Sequence, residues 1–217
     1  MIDEVIAPIC GNANFFRHKK SFMYYRITDN VLNFILFETK SFGFECWICV
    51  QPLFVFNEAL ILSLGNNVSH IDNKNFKNYY LYLEMDTEEI SKNIEAHALF
   101  FRKTAFDWFD KVGNPKGISD YITSNTKESK VFFTPDEWRY EFKAYSDLYL
   151  GNYNMALNYF EKFITELTKN SVGSWDETIQ KINSLIALIK TEPNKTNEIL
   201  LQTVKKMIEL LQLNTTA

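Results

Sequence analysis

Histidine, cysteine and dense basic charge are all scarce in this chain, and each scarcity removes a class of function. The three histidines, His18, His70 and His97, all lie more than four residues from one another, so no His-Glu-x-x-His catalytic spacing exists. Three cysteines, an odd number in a chain this long, fit a reducing compartment better than a disulfide framework. No apolar run approaches the ~20 residues that a membrane-spanning helix needs, and the opening Met-Ile-Asp-Glu lacks the basic region of a secretory signal. The expected location is cytoplasmic, with no membrane partner. Lys and Arg number 23 against 27 Asp and Glu, for a net charge of -4 and a pI near 5.5. Phosphate-backbone binding is carried by clustered Lys and Arg, so no nucleic-acid partner is expected. The one dense basic run, Arg17-His18-Lys19-Lys20, reads as a solvated lead-in to a strand, with a phosphate or acidic-partner site as its sharper alternative. No Gly-rich phosphate loop and no Gly-x-Ser-x-Gly elbow occurs.

What is present is apolar and aromatic mass: 46% hydrophobic and 16% aromatic over 217 residues, enough for one large or two small domains. The chain is organised around residues 22–54, which predict three antiparallel strands. Asp29-Asn30 lies between two β-rich runs, and both residue types tolerate the positive φ of a two-residue type I′ turn. That turn pairs Thr28 with Val31 and sets Met23, Tyr25 and Ile27 beside Leu36, Phe34 and Leu32 on one apolar face. A three-residue connection at Ser41-Phe42-Gly43 would pair Lys40 with Phe44 and add Cys46, Ile48 and Val50 to the same face. The other face then collects Tyr24, Arg26, Asn33, Ile35, Phe37, Glu45, Trp47, Cys49 and Gln51, a mixture of aromatic and polar groups.

Helices flank this sheet. Ile2, Val5, Ile6 and Ile9 fall at helical spacing despite Pro8. Residues 59–64 and 79–85 read as further strands around a polar loop at 72–78. Asp86 with Glu89 forms a capping box opening a long helix over 87–112. Its apolar stripe holds Ile90, Ile94, Phe101, Ala105, Trp108 and Val112, with Leu99 and Phe106 nearly opposite. Gly113-Asn114-Pro115 stops it, and 118–122 predicts a short helix before a polar linker at 123–130. Thr134-Pro135-Asp136-Glu137 opens the next helix, Gly151 closes it, Ser174-Trp175-Asp176-Glu177 starts another that runs to about Lys190, and Pro193-Asn194 precedes the last, over 197–213. The expected fold is α+β: an antiparallel β-meander packed by a long helix over residues 1–125, followed by an all-helical region of about four helices over 131–217 docked on it. Docking is expected on the long helix, through Leu148, Tyr149, Tyr153 and Phe160 covering Leu99 and Phe106. The alternative is that these helices, or a second copy of the chain, cover the mixed face of the sheet.

Phe16-Arg17-His18-Lys19-Lys20, then Phe22, Tyr25 and Arg26, then a third strand ending Val50-Gln51-Pro52-Leu53, with the later Asp107-Trp108-Phe109-Asp110, resembles the bacterial family known as domain of unknown function 4304 over residues 1–125. The resemblance implies an α+β fold with an antiparallel sheet and brings no catalytic residues. The second strand departs from the family in lacking its polar, glutamine-rich character. Leu150-Gly151-Asn152-Tyr153, followed by Ala156, Tyr159 and Phe160, is similar to the turn and second helix of a tetratricopeptide repeat. No second copy is visible, and such units need neighbours to bury their faces.

Catalytic, cofactor and metal assignments are none. Cys46-Trp47-Ile48-Cys49 has redox and zinc spacing, but residues three apart on a strand point to opposite faces, and no helix N-terminus is there to lower a thiol pKa. His97, at the edge of the helix stripe, reads as a hydrogen-bonded, partly buried side chain rather than a base. Glu38, Glu45, Asp107 and Asp110 are the carboxylates that could meet in space, although Asp107 and Asp110 are by default surface charges. The expected function is a non-catalytic protein-interaction protein, immunity- or antitoxin-like. Its candidate partner face is Tyr24, Arg26, Trp47 and Gln51, the types that dominate binding hot spots. A homodimer stays open. The alternative is a small-molecule-binding module or cryptic enzyme that uses the aromatic-polar sheet face.

Overall fold

Asp29 and Asn30 both adopt positive φ, 48° and 62°, so the first hairpin closes through the type I′ turn that Asx residues tolerate. In the computed structural model, which describes residues 1–60, 62, 64–124, 136–169 and 175–214, this turn joins β2 (Met23–Thr28) to β3 (Val31–Lys40) with Thr28 opposite Val31 and Tyr25 opposite Phe34. A helix α1 (Ile2–Asn12) and a short β1 (Phe16–Arg17) precede them, and β4 (Gly43–Pro52), β5 (Gly65–Asn67) and β6 (Leu81–Tyr82) follow. The antiparallel sheet runs β1-β2-β3-β4-β5, and β6 also lies along β4. The fold is therefore α+β, as the meander implies.

The second hairpin differs from the expectation by one residue, with large consequences. Its turn is only Ser41-Phe42: Lys40 faces Gly43, and Glu38 faces Glu45. Gly43 is needed elsewhere, since its φ is 152° and a Cβ there would lie 2.0 Å from the Leu81 carbonyl oxygen, where β6 presses against the strand. Because side chains alternate, a one-residue slip carries a whole strand to the other face. Cys46, Ile48 and Val50 therefore join Phe37, Ile35 and Asn33, while Trp47, Cys49 and Gln51 join Leu36, Phe34 and Leu32.

Different helices lie on the two faces, and the second is covered only in part. The long helix lies on the first, as α3 (Thr87–Phe100) and α4 (Phe106–Val112) joined by a π turn at Phe101–Ala105. The capping box of Asp86 with Glu89 is present. The expected stripe from Ile94 to Val112 stays buried on both sides of the π turn, and Phe100 and Phe109 beside it are buried as well, while Leu99 is 49% exposed. Phe37 packs against the His97 and Phe101 rings, and the Asn33 amide donates to the Gly113 carbonyl at 3.0 Å. Only glycine fits there, because a Cβ at Gly113 would sit 1.6 Å from Asn33 Oδ1. Asn114 then caps α5 (Pro115–Thr123) with Pro at its start.

The last part of the chain forms α6 (Asp136–Tyr149), α7 (Tyr153–Lys169), α8 (Asp176–Thr191) and α9 (Pro193–Leu210). Gly151, at φ 76°, takes the left-handed conformation that closes α6. The expected start signals at Thr134-Pro135 and Ser174 lie outside the described residues, as does most of the expected linker at 123–130. These helices do not dock on the long helix. Phe106 is covered by Phe15 from the loop after α1, and Leu99 has no cover. Instead Tyr149 stacks on Phe54 at 4.6 Å, its hydroxyl accepts a hydrogen bond from Asn30 at 2.7 Å, and the Asn214 amide donates to the Tyr25 hydroxyl at 2.8 Å. The C-terminal helices thus cover part of the second face, and buried side chains from both parts of the chain form one core. The expected strand at 79–85 shrinks to β6, and in place of the one expected at 59–64 the strand β5 forms on Gly65–Asn67, where a closing turn was expected. Residues 59, 60, 62 and 64 are not strand, positions 61 and 63 lie outside the described residues, and the polar loop folds as a short helix α2 (Val68–Ile71) and a 3-10 turn over Asn73–Tyr79.

Candidate functional site

The four residues expected to share a face do not. Tyr24 and Arg26 point to the first face, where the Tyr24 hydroxyl donates to Asp3 and Arg26 pairs with Asp110 over the Phe15 ring. Trp47 and Gln51 point to the second. There Gln51 is buried and donates to the Ala59 carbonyl. Among the four, only Trp47 lies where the cover ends.

The uncovered stretch is the hairpin end of the second face. β3 has ten residues, about 33 Å at the usual rise of a strand, and the C-terminal helices meet it near the other end, at Asn30. Beyond them Leu36 and Trp47 are half-buried, and Glu38 and Glu45 stand directly opposite each other. Tyr82 faces the same way because β6 sets it opposite Gly43. The Tyr80 ring stacks on Tyr82 at 5.1 Å and 19°, Phe42 at the turn adds a ring at 5.8 Å from Tyr82, and Phe76 extends the row at 6.0 Å from Tyr80. Phe42 and Phe76 are exposed, at 46% and 41%. These partly exposed rings make this end of the sheet the candidate interaction site.

Its charges are unequally satisfied. Lys40 donates to Glu38 at 2.8 Å, and that bond, aided by the field of Glu45, raises the Lys40 pKa. Glu45 has no hydrogen-bond or ion-pair partner among the described residues. Burial, followed by the fields of Tyr80 and Glu45, pushes the Tyr82 phenol above its ordinary range. Glu38 and Glu45, two of the carboxylates expected to be able to meet, do stand opposite each other, whereas Phe42, Phe76, Tyr80 and Tyr82 were missed as site residues. The available signals were an aromatic residue placed in a turn and the alternation of Tyr80, Tyr82 and Glu84 against Leu81 and Leu83.

Three other constellations carry possible chemistry. Ser119 on α5 donates to Asp147 at 2.8 Å and accepts from Lys143 at 2.6 Å, and Lys143 also meets Asp147 at 3.0 Å. Serine, lysine and aspartate so arranged resemble a nucleophile with its base. Here they are 6%, 3% and 2% exposed, and the serine lone pair is taken by an ammonium, so the group latches α5 to α6. His97 is fully buried and its Nδ1 lies 2.8 Å from the Asn93 carbonyl, an N–H donor contact. Burial lowers its pKa to about 4, so it is neutral and not poised as a base at pH 7. Cys46 and Cys49 are both buried and free, on opposite faces, and burial raises both thiols, which keeps them protonated and unreactive. Among the described residues no group of three His, Cys, Asp or Glu is placed to hold a metal ion, and no helix is long and apolar enough to cross a membrane.

A cleft of about 370 Å³ opens at the other end of the second face, lined by Tyr25, Ile27, Asp29, Asn30, Tyr149 and Asn214 among others. Comparison with known proteins adds no relative: no protein-family model, no curated protein and no solved structure matches the chain.

Proposed function

We propose that this chain is a non-catalytic, cytoplasmic protein-interaction protein of the immunity or antitoxin kind, and that it meets its partner through the hairpin end of the sheet. The observation that carries the proposal is the row Phe76, Tyr80, Tyr82 and Phe42 beside Trp47 and the unpaired Glu45. Tyr and Trp dominate interface hot spots, and a surface alone suffices for a protein that acts by blocking another. The resemblance of residues 1–125 to domain of unknown function 4304 agrees with this proposal in bringing no catalytic set. In it residues 1–125 carry the face, and the C-terminal helices, including a helix pair similar to a tetratricopeptide unit, cover the rest of the same face of the sheet. The test is affinity capture from the source cells with two baits, the native chain and Tyr82→Ser/Phe42→Ser. One protein held stoichiometrically by the native bait and lost from the variant is the expected result. Identical captures by both baits would refute the site.

The cleft at Tyr25, Asp29 and Asn30 favours a second reading, a small-molecule-binding module. Its volume of about 370 Å³ falls at the lower end of ligand pockets, and its wall joins Tyr25 and Ile27, on the face opposite Tyr24 and Arg26, to α6 through the Asn30–Tyr149 hydrogen bond. Saturable metabolite binding that is lost in Tyr149→Ala would favour this reading over the first.

A further inference from the structure

We infer that the occupant of the aromatic row is a basic, extended segment of a protein partner, with an arginine seated between the Glu45 carboxylate and the Tyr80–Tyr82 stack; this rests on the reading of that end of the sheet as an interaction face. Three observations lead there. Like charges directly opposite on paired strands destabilise a sheet, yet Glu38 and Glu45 stand opposite each other, and Lys40 reaches only Glu38. The two carboxylates thus share one lysine, which is bonded to Glu38. The same molecule shows what fills such a place. Arg17 lies over the Phe22 and Tyr24 rings, 4.9 and 5.4 Å from their centroids, while pairing with Asp3 at 2.9 Å. Arg26 lies 5.0 Å from the centroid of Phe15 while pairing with Asp110. Each of these two combinations of ring and carboxylate holds a guanidinium, whose planar fork suits both partners at once. Among the described residues no guanidinium pairs with Glu45, whose field reaches Tyr82.

The length of the row selects a segment over a free cation. Successive ring centroids lie 6.0, 5.1 and 5.8 Å apart from Phe76 to Phe42, which matches roughly five residues of extended chain. A single amino acid or small amine would cover one step of it. Alternation along an extended chain also sets every second side chain toward the rings, so a segment with arginines at alternate positions fits the spacing.

The test titrates isotopically labelled protein with a capped Arg-Val-Arg-Val-Arg-Val peptide and follows backbone amide shifts. The capped Glu-Val-Glu-Val-Glu-Val peptide and free arginine serve as comparisons. Expected are shifts confined to residues 38–47 and 76–84, affinity that falls with salt, and binding about ten-fold weaker in Glu45→Gln or Tyr82→Ala, as loss of a charge-assisted contact implies. The charge-matched Glu198→Gln, on the exposed face of α9, should bind as the native chain does. Shifts spread over the acidic surface, equal weakening by Glu198→Gln, equal binding of the glutamate peptide, binding of free arginine as tight as that of the hexapeptide, or no shifts at millimolar peptide would each overturn the inference. The two levels separate with the captured partner in hand. If that partner needs Tyr82 and binds Glu45→Gln unchanged, the interaction face stands and the basic segment falls. If it does not need Tyr82, both fall.

Discussion

Replacing Glu141 should change not only the stability of this protein but the way that stability responds to pH. Glu141 lies on α6, is 8% exposed, and its Oε2 has no hydrogen-bond partner. Burial alone raises its carboxyl from an ordinary 4.5 to about 8, because an ion in apolar surroundings loses its hydration. In the unfolded chain the group ionises near its ordinary value; in the folded chain it keeps its proton until about pH 8. Between those limits the folded state binds the extra proton, so stability falls as pH rises. The slope from this one group is ~1.4 kcal/mol per pH unit, a few kcal/mol across the whole window. Glu141→Gln preserves the shape and removes the titration. Urea denaturation of both proteins at intervals from pH 4.5 to 9 is the assay, with the difference in stability isolating Glu141 from other titrating groups. The variant should gain on the native protein steadily from pH 4.5 to about 8 and then hold a constant margin. Parallel profiles would refute the burial of an unsatisfied carboxyl at this position.

The other predictions follow from packing. His97 has the opposite sign: its pKa is depressed to about 4, so its contribution is present above its unfolded value and is lost as pH falls from about 6.5 to 4. His97→Phe should flatten that limb of a pH-stability curve. Lys143→Met should cost ~3–5 kcal/mol by stranding Asp147, whereas combining it with Asp147→Leu and Ser119→Ala should recover most of the loss; thermal melts of the single and triple variants compare the two. Cys46→Ser and Cys49→Ser should each cost ~1–3 kcal/mol by burying a hydroxyl, measured by denaturation midpoint, since both thiols are interior. Gly113→Ala should cost ~1–3 kcal/mol or more through the collision with Asn33, with the amide resonances of both residues displaced.

The first hairpin was legible because local chemistry determines it: Asp29 and Asn30 are turn residues, and a two-residue turn there fixes the register of β2 against β3. The second hairpin was not, because Ser41-Phe42-Gly43 looks like a three-residue turn when the approach of β6 to Gly43 is unknown. That contact joins residues far apart in sequence, and no local pattern carries it. The same slip decided the site. With one residue fewer in the turn, Trp47 moves to the face of Leu36, Glu45 comes opposite Glu38, and Tyr24 and Arg26 are left under the long helix. The start of the long helix read well at Asp86, where a capping box marks it, whereas the last helix begins at Pro193 itself rather than at the expected Asn197; the expected stripe of the long helix is buried from Ile94 on, and what it left out is the burial of Phe100 and Phe109 beside it. The docking of the C-terminal helices was not legible either: Phe106, expected to receive them, is covered by Phe15, and Tyr149 stacks on Phe54 instead.

The register of β3 against β4 is the claim on which the site depends, and interstrand backbone contacts by nuclear Overhauser spectroscopy test it most directly. The account predicts contacts between Glu38 and Glu45 and between Leu36 and Trp47. Contacts between Glu38 and Cys46 and between Leu36 and Ile48 instead would mean a three-residue turn, put Glu45 and Trp47 on the other face, and contradict it.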